Sequence, residues 1–263
     1  MKLSEATAPI PGPGHGLAEG KSVLVTAAAG TGIGFAAAQR FAAEGARLTI
    51  SDRHERRLIA AADRIESEFG TRPLTVPCDV TDNQQIDAMV DRVVAEHGSI
   101  DVLINNAGLG GTASIQSMTD EQWSSVLDVT LTSTFRTTRS VLRVMIPRGS
   151  GVIVNNASVI GWRAQEGQSH YAAAKAGVMA LTRCSALDVA PHGIRVNAVA
   201  PSIAMHPHLA KVTSDELLEQ LSKSEAFGRA AQPWEVANVM VFLASDYSSY
   251  MTGEVVSVSS QHA

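Results

Sequence analysis

Short runs rich in β-branched residues alternate with longer helical stretches along most of the chain, and no other sequence feature constrains the fold as strongly. Seven of these runs predict strands, at 22–26, 47–50, 73–76, 102–104, 151–154, 194–199 and 254–258. The apolar spacing between them predicts helices, at about 33–44, 54–69, 83–97, 120–146, 168–190 and 233–245. Because each strand, helix and following strand form a βαβ unit with a right-handed crossover, we predict an α/β fold. The expected architecture is a doubly wound, seven-stranded parallel sheet with helices on both faces.

The composition indicates one globular domain. Hydrophobic residues make up 45% and charged residues 18% of the 263-residue chain, which is enough apolar surface to bury a sizeable core. We place this domain at 21–263, with a cofactor-binding part at about 21–110 and a catalytic and substrate part at about 111–263. The Pro/Gly-rich segment 1–20 is expected to be a flexible arm before the first strand.

The charge, cysteine content and hydropathy exclude several classes of function. The net charge is −5 and the basic residues are scattered, so we expect no nucleic-acid partner. Cys78 and Cys184 are the only cysteines, and no His/Cys cluster has metal-ligand spacing, so no metal site is predicted. No apolar run reaches membrane-spanning length, and segment 1–20 lacks the apolar core of a signal peptide. We therefore expect no membrane partner and a cytoplasmic location.

A glycine-rich turn at 26–34 follows the first strand and leads into the first predicted helix. In such a turn, backbone N–H groups can approach a pyrophosphate, whose charge the helix dipole also stabilises. The residues predicted to contact the cofactor phosphates are Gly30, Gly32, Ile33 and Gly34. The turn therefore predicts a dinucleotide site, although a glycine-rich turn can also serve only to join a strand to a helix.

Polar residues at the ends of the next strands fit the same dinucleotide. Asp52 follows the glycines by about 20 residues, which is the spacing of a carboxylate that binds the adenosine ribose. Asp52 would repel a 2′-phosphate, so we expect NAD, with NADP possible through Arg53; Asp52 could also cap a helix. After the third strand, Asp79 and Val80 can meet the adenine. After the fourth strand, Asn106 lies among small residues that permit close cofactor approach, and either segment could be only a turn.

Tyr171 and Lys175 lie four residues apart in a predicted helix, and therefore on one helical face, while Ser158 follows the fifth strand. Lowering a phenol pKa from about 10 by about three units takes roughly 4 kcal/mol. A lysine ammonium about 4 Å away supplies about that much at an effective dielectric of about 20. We predict that Tyr171 exchanges the proton of a substrate oxygen, which Ser158 binds, while a nicotinamide exchanges hydride. Taken singly, each side chain could be ordinary packing, a solvated charge or a helix cap.

With these motifs, the chain resembles the short-chain dehydrogenase/reductase family over residues 21–258. Two further segments carry the resemblance, at 195–201 and 251–253. The resemblance implies a Rossmann-type fold, a nicotinamide cofactor, and a homotetramer or homodimer. It also implies that the cofactor contacts four residues of the second half, Tyr171, Lys175, Pro201 and Ile203.

Four positions depart from the family pattern. Ala27 stands where the first glycine is expected, in a turn that is one residue longer than usual. Thr130 stands where the family has an Asn that holds a water in the proton relay, and we expect its hydroxyl to bind that water and so to contribute to catalysis. Ser202 replaces a glycine, and segment 259–263 replaces the customary Asp-Gly-Gly.

The long turn and Thr130 together resemble a subgroup found in bacteria that degrade steroids. That resemblance implies a secondary alcohol or ketone on a bulky alicyclic, steroid-derived or acyl-CoA substrate. Two alternatives stay open: an NADPH-dependent 3-ketoacyl or general ketone reductase, and a dinucleotide-binding protein without turnover.

Segment 202–228 is predicted to form a substrate lid. Its apolar residues precede a helical stretch at 215–222, although such residues are more often ordinary packing. These apolar residues are Ile203, Met205, Leu209 and Val212. The basic residues His206, His208 and Lys211 could meet a CoA phosphate or could be solvated.

Overall fold

The computed structural model describes residues 8–205 and 215–260, with seven parallel strands at its centre. The strands are β1 Ser22–Thr26, β2 Arg47–Asp52, β3 Leu74–Pro77, β4 Val102–Asn105, β5 Gly151–Asn156, β6 Ile194–Pro201 and β7 Val255–Val258. Their order in the sheet is β3-β2-β1-β4-β5-β6-β7, so the direction of winding reverses between β1 and β4. The predicted doubly wound, seven-stranded parallel sheet in a single domain is confirmed.

Helices cover both faces of this sheet. They are α1 Ile33–Ala43, α2 Glu55–Phe69, α3 Asn83–His97, α4 Asp120–Leu127, α5 Ser133–Arg148, α6 Ser169–Val189, α7 Asp215–Ser224 and α8 Pro233–Ala244. On one face, Phe41 and Met240 belong to the buried core of α1, α2 and α8. On the other, Met89 and Met145 belong to the core of α3, α5 and α6. In the described part of the chain, no helix is long and apolar enough to cross a lipid bilayer.

The helix predicted at 120–146 changes its hydrogen-bonding pattern partway along. A π-helical turn, Asp128–Thr132, separates α4 from α5. Side-chain hydroxyls bond to the main-chain carbonyls four residues earlier: Ser133 donates to Val129 and Thr134 to Thr130. Such bonds loosen the regular helical ladder, and π turns are frequent at functional sites. The apolar spacing continues through this turn, so the sequence pattern alone does not reveal it.

The carboxyl ends of β1, β4 and β5 meet at one edge of the sheet. Val25 pairs with Ile104, and Asn105 pairs with Asn155. Because these strands are parallel, the loops that follow them emerge side by side where the winding reverses. Open α/β sheets bind ligands at this position. The fold therefore brings the glycine-rich turn and the predicted catalytic segments to the same edge.

The described part of the segment before β1 is tied to α1. The buried carboxylate of Glu44 accepts the N–H groups of His15 and Leu17, at 2.7 and 3.0 Å. Arg40 donates to Glu44 and to the carbonyl of Gly12. These contacts anchor residues 12–17, while the division of the chain at residue 20 stays a prediction.

Candidate active site

The turn after β1 has the geometry of a phosphate site. The helix α1 begins at Ile33, its N-cap Gly32 makes no side-chain cap, and its first turn holds no acidic residue. The free N–H groups and the positive end of the helix dipole are therefore open to an anion. Gly34 is needed for close packing, because a Cβ there would lie 2.2 Å from Asn106 Nδ2 and 2.5 Å from the Ala27 carbonyl oxygen. These residues fit the pyrophosphate of a dinucleotide.

Ala27 adopts a backbone conformation that favours glycine. Its φ is +51°, and among the described residues it is the one non-glycine residue with a positive φ. The alanine that replaces the usual glycine is therefore strained, because a left-handed conformation costs an L-residue about 1–2 kcal/mol. The chain keeps the turn shape that a glycine would give.

Asn106, predicted to contact the cofactor, has its side chain occupied by the protein. Its Nδ2 donates to the Ala27 carbonyl at 3.1 Å, and its N–H donates to Thr26 Oγ1 at 3.0 Å. Its Oδ1 accepts a bond from Asn156 Nδ2 at 2.9 Å. Asn106 therefore ties β4 to the ends of β1 and β5. Because its side chain is bonded within the protein, Asn106 could contact a cofactor only through its backbone, or act by positioning these strand ends.

The two predicted adenosine-binding carboxylates lie at the ends of β2 and β3. Asp52 accepts the Ala29 N–H at 3.4 Å and the His54 N–H at 2.9 Å, so it connects β2 to the glycine-rich turn. Asp79 precedes Val80, and its Oδ1 accepts both the N–H and the hydroxyl of Thr81. The backbone bond from Thr81 is the main cause that lowers the pKa of Asp79. A charged Asp79 carboxylate can accept a bond from an adenine amino group.

Tyr171, Lys175 and Ser158 converge below the loop that follows β4. Tyr171 lies half-buried in the first turn of α6, and the Ser158 side chain hydrogen-bonds with its phenol. One turn further, Lys175 is 3% exposed. Its Nζ donates to the main-chain carbonyl of Asn156 and lies 5.6 Å from the centroid of the Tyr171 ring. The three predicted catalytic side chains are thus brought together.

The protonation of this cluster differs from the sequence-based expectation. Burial raises the pKa of Tyr171 to about 12, and the hydrogen bond from Ser158 only partly opposes it. Burial lowers the pKa of Lys175 to about 8. The phenol pKa is therefore raised in the chain alone, not lowered as expected, because desolvation of the phenolate is the dominant cause and the Lys175 ammonium is bonded to Asn156. A phenol with this pKa can donate a proton to a substrate oxygen.

Thr130 is completely buried and lies close to Lys175. A Cβ placed on Gly108 would be 3.6 Å from Lys175 Nζ and 3.8 Å from Thr130 Oγ1. The Thr130 hydroxyl accepts the N–H of Leu109 at 3.0 Å and donates to the Leu109 carbonyl at 3.2 Å. Its only proton is therefore engaged by the loop after β4. A hydroxyl has two lone pairs, so Thr130 can still accept one bond from a water.

Asn156 is a residue of this site that the sequence reasoning missed. Its carbonyl holds Lys175, its Nδ2 holds Asn106, and Asn106 in turn holds Ala27. A continuous chain of hydrogen bonds thus joins Lys175 to the strained Ala27 of the glycine-rich turn. The only signal in the sequence was a second polar residue at the end of β5, and its role depends on strands that are distant in sequence.

The segment after β6 is held at its start. Pro201 ends β6, the Ser202 N–H donates to the Val258 carbonyl, and the Ile203 carbonyl accepts the Ala231 N–H. Ser202 has no positive φ, so the missing glycine is accommodated without strain. At the far end of α7, Ser260 donates its N–H and hydroxyl to the buried Glu225. Residues 206–214 of the predicted lid lie outside the described residues, and with them His206, His208, Leu209, Lys211 and Val212.

Comparison with known proteins agrees with this geometry. A family model described as Enoyl-(Acyl carrier protein) reductase matches residues 27–260. The chain is 61% identical, over 100% of both chains, to the (5R,7aS)-5-hydroxy-7a-methyl-1-oxo-2,3,5,6,7,7a-hexahydro-1H-indene-carboxyl-CoA reductase of Mycobacterium tuberculosis. It is 41% identical to the 3-oxoacyl-[acyl-carrier-protein] reductase of Thermotoga maritima, over 91% of this chain and 96% of that protein.

A solved structure gives the same result. A short chain dehydrogenase from Mycobacterium smegmatis is 56% identical, with a TM-score of 0.87, over 98% of this chain and 99% of that chain. The predicted family and the predicted enzyme class are confirmed. The chain belongs to the short-chain dehydrogenase/reductase family of nicotinamide-dependent oxidoreductases.

Proposed function

We propose that this protein transfers hydride between NAD and a secondary alcohol or ketone on a bulky alicyclic acyl-CoA substrate. The observation that carries the proposal is the cluster of the buried Ser158 and Lys175 with the half-buried Tyr171, which faces the same sheet edge as the uncapped N-terminus of α1. A binding protein without turnover would have no need for a lysine buried at such electrostatic cost. The relative from Mycobacterium tuberculosis supports the substrate class, because its name specifies a fused-ring carboxyl-CoA.

The proposed mechanism assigns one task to each side chain. When bound, the nicotinamide exchanges hydride with the substrate carbon. In ketone reduction, the neutral Tyr171 phenol donates its proton to the substrate oxygen, and the Ser158 hydroxyl donates a hydrogen bond to the same oxygen. Lys175, whose pKa burial lowers to about 8, would hold the nicotinamide ribose and can return a proton toward Tyr171. A water accepted by Thr130 would connect Lys175 to solvent.

The proposed cofactor contacts follow the sheet edge. We assign the phosphates to the residues that open α1, and the adenosine to the carboxylates after β2 and β3. These residues are Gly30, Gly32, Ile33, Gly34, Asp52, Asp79 and Val80. At the nicotinamide end we assign Asn106, Tyr171, Lys175, Pro201 and Ile203. A homotetramer or homodimer and a cytoplasmic location remain predictions.

NAD is favoured over NADP because Asp52 lies where the adenosine ribose is expected. Its carboxylate can accept bonds from both ribose hydroxyls and would repel a 2′-phosphate. The alternative, an NADPH-dependent 3-ketoacyl reductase, is supported by the relative from Thermotoga maritima and by Arg53, an exposed cation next to Asp52. The lid proposed at 202–228 would enclose either substrate.

Dissociation constants for NADH and NADPH, measured by fluorescence on the wild type, test the cofactor. We expect NADH to bind at least about tenfold more tightly, because an unpaired contact between carboxylate and phosphate costs a kcal/mol or more. In Asp52→Asn the preference should weaken, and in the matched variant Arg53→Gln it should persist. Tighter binding of NADPH by the wild type would contradict the assignment and favour the alternative.

A substrate panel tests the reaction. Steroid-derived bicyclic ketones as CoA thioesters, steroid alcohols and short 3-ketoacyl thioesters are compared with the preferred nicotinamide. The highest kcat/KM should fall on the bicyclic CoA thioesters. A higher value for short 3-ketoacyl thioesters would assign the chain to the alternative function, and equal inactivity of the wild type and Tyr171→Phe on all substrates would indicate a protein without turnover.

A further inference from the structure

His170 is a buried polar side chain that the mechanism does not use. It lies in the first turn of α6, directly before Tyr171, and is 2% exposed. Its Nδ1 accepts the N–H of Tyr171 at 2.9 Å. A neutral imidazole has one acceptor and one donor nitrogen, so this bond places the ring proton on Nε2.

The Nε2 donor of His170 faces the loop after β4. A Cβ built on Gly111 would lie 3.4 Å from this nitrogen, and a Cβ on Gly110 would meet nothing within 4 Å. Across residues 8–205 and 215–260, no group accepts a hydrogen bond from Nε2. This nitrogen is not one of the buried, unpartnered side-chain atoms of the described residues, so it reaches the open space beside Gly110 and Gly111. A bound molecule can therefore supply its acceptor in place of water.

The wall beside His170 is fixed in place. Gln168 Nε2 donates to the Gly111 carbonyl at 2.8 Å, and the Ala113 N–H donates to the Gly167 carbonyl at 3.0 Å. At its other end, the same loop passes Lys175, because a Cβ on Gly108 would be 3.6 Å from Lys175 Nζ. A glycine-rich stretch, interrupted only by Leu109, thus extends from Lys175 at Gly108 to His170 at Gly111.

We propose that His170 is a substrate-binding residue, whose Nε2–H donates a hydrogen bond to a second oxygen of the substrate, a ring carbonyl remote from the reacting one. The proposal rests on the proposed function, since it requires a substrate large enough to reach His170 while its reacting oxygen meets Tyr171. The open glycines provide room for such a ring system, and a neutral donor selects an uncharged acceptor oxygen over a cation or a methylene.

Two variants separate this role from support of Tyr171. An Asn side chain reaches only as far as Nδ1, so His170→Asn can keep the acceptor for the Tyr171 N–H but loses the outer donor. A Gln side chain reaches the Nε2 position, so His170→Gln keeps a donor there. The substrates are a bicyclic ketone CoA thioester with a second ring carbonyl and the analogue in which a methylene replaces that carbonyl.

For His170→Asn, kcat/KM on the two-carbonyl thioester should fall about tenfold, mainly through KM, with little change on the methylene analogue. His170→Gln should retain the activity of the wild type within about threefold on both substrates. Equal losses on both substrates would reduce His170 to a support for Tyr171, and unchanged kcat/KM in His170→Asn would mean that only water meets Nε2. Either result overturns the proposal, whereas a wild type that reduces neither thioester would overturn the proposed function itself.

Discussion

The glycine-rich turn and the catalytic cluster face each other at one sheet edge, yet they are built in opposite ways. In the turn, backbone conformation and the absence of side chains make the site: Ala27 is held at a φ of +51° and Gly34 has no room for a Cβ. In the cluster, buried polar side chains make the site, and burial shifts the pKa values of Tyr171 and Lys175 to about 12 and about 8. The turn contains a strained backbone conformation, whereas the cluster contains ionisable groups whose charged forms are poorly solvated.

One chain of hydrogen bonds supports both the strained turn and the desolvated cluster. Asn156 holds the Lys175 ammonium with its carbonyl and holds Asn106 with its amide, and Asn106 holds the strained Ala27. Strained or desolvated groups persist only where the surroundings over-determine them. Substitutions in the two regions should therefore have effects of different kinds, on chemistry and pH dependence in the cluster and on packing in the turn.

The largest effect is expected for Tyr171→Phe, which removes the proton donor and keeps the ring. Turnover should fall by about 10³-fold or more, because a positioned acid or base contributes about 10²–10⁴-fold. The Kd for NADH should change by less than about twofold, since the phosphate and adenosine contacts are intact. Steady-state kinetics and fluorescence titration measure the two quantities, with the fully exposed Tyr250→Phe as the control. Retention of even a tenth of the turnover would show that another group moves the proton.

The next effect is a pH dependence of stability caused by Lys175. Its folded pKa of about 8 lies below the value of about 10.4 for an unfolded lysine, so between these values the unfolded chain binds more protons. This group therefore makes stability rise with pH across that window, by up to about 3 kcal/mol. Burial raises the pKa of Cys78 and of Tyr171 to about 12, and both groups make stability fall with pH in the same window, so the readout is the difference between variants. Between pH 8 and pH 10, urea unfolding should show stability changing by about 2 kcal/mol more favourably in the wild type and in the exposed control Lys223→Met than in Lys175→Met. The same pH dependence in all three proteins would mean that Lys175 is not desolvated.

The sequence predicts side-chain chemistry better than it predicts energetics or support. All seven strands follow from β-branched runs, and the shared helical face of Tyr171 and Lys175 follows from their local spacing. The pKa of Tyr171 was expected to fall, but burial depends on the whole packed domain and raises it. The roles of Asn156 and His170 depend on loops from distant strands, and no periodicity encodes them. For the same reason, the hydrogen bonds between the Thr130 hydroxyl and the Leu109 backbone could not be predicted from the sequence.

In the turn, the larger effect is expected for Gly34→Ala. Its Cβ would lie 2.2 Å from Asn106 Nδ2 and 2.5 Å from the Ala27 carbonyl oxygen, so the turn must move away from β4. Overpacking of this kind costs about 1–3 kcal/mol, and the Kd for NADH should rise with the displacement of the phosphate site. Gly12→Ala is the control, because Gly12 lies outside the turn and its Cβ would meet nothing within 4 Å. Equal behaviour of the two variants in thermal unfolding and NADH titration would contradict the packing role of Gly34.

The smallest effect tests whether the turn stores strain. Ala27→Gly removes a left-handed conformation that costs about 1–2 kcal/mol, while glycine adds about 0.5–1 kcal/mol of unfolded-state entropy. The variant should therefore be more stable than the wild type by at most about 1.5 kcal/mol, a shift of at most about 3–6 °C in Tm. Ala28→Gly, at a buried neighbour without a positive φ, should instead lose stability through its missing methyl group and added entropy. Opposite signs for these two adjacent substitutions require strain at Ala27. A loss of stability in both variants would mean that, with the bonds from Asn106 in place, the left-handed conformation costs Ala27 less free energy than the unfolded-state entropy of glycine. The contrast between a strained turn and a desolvated cluster would then fail.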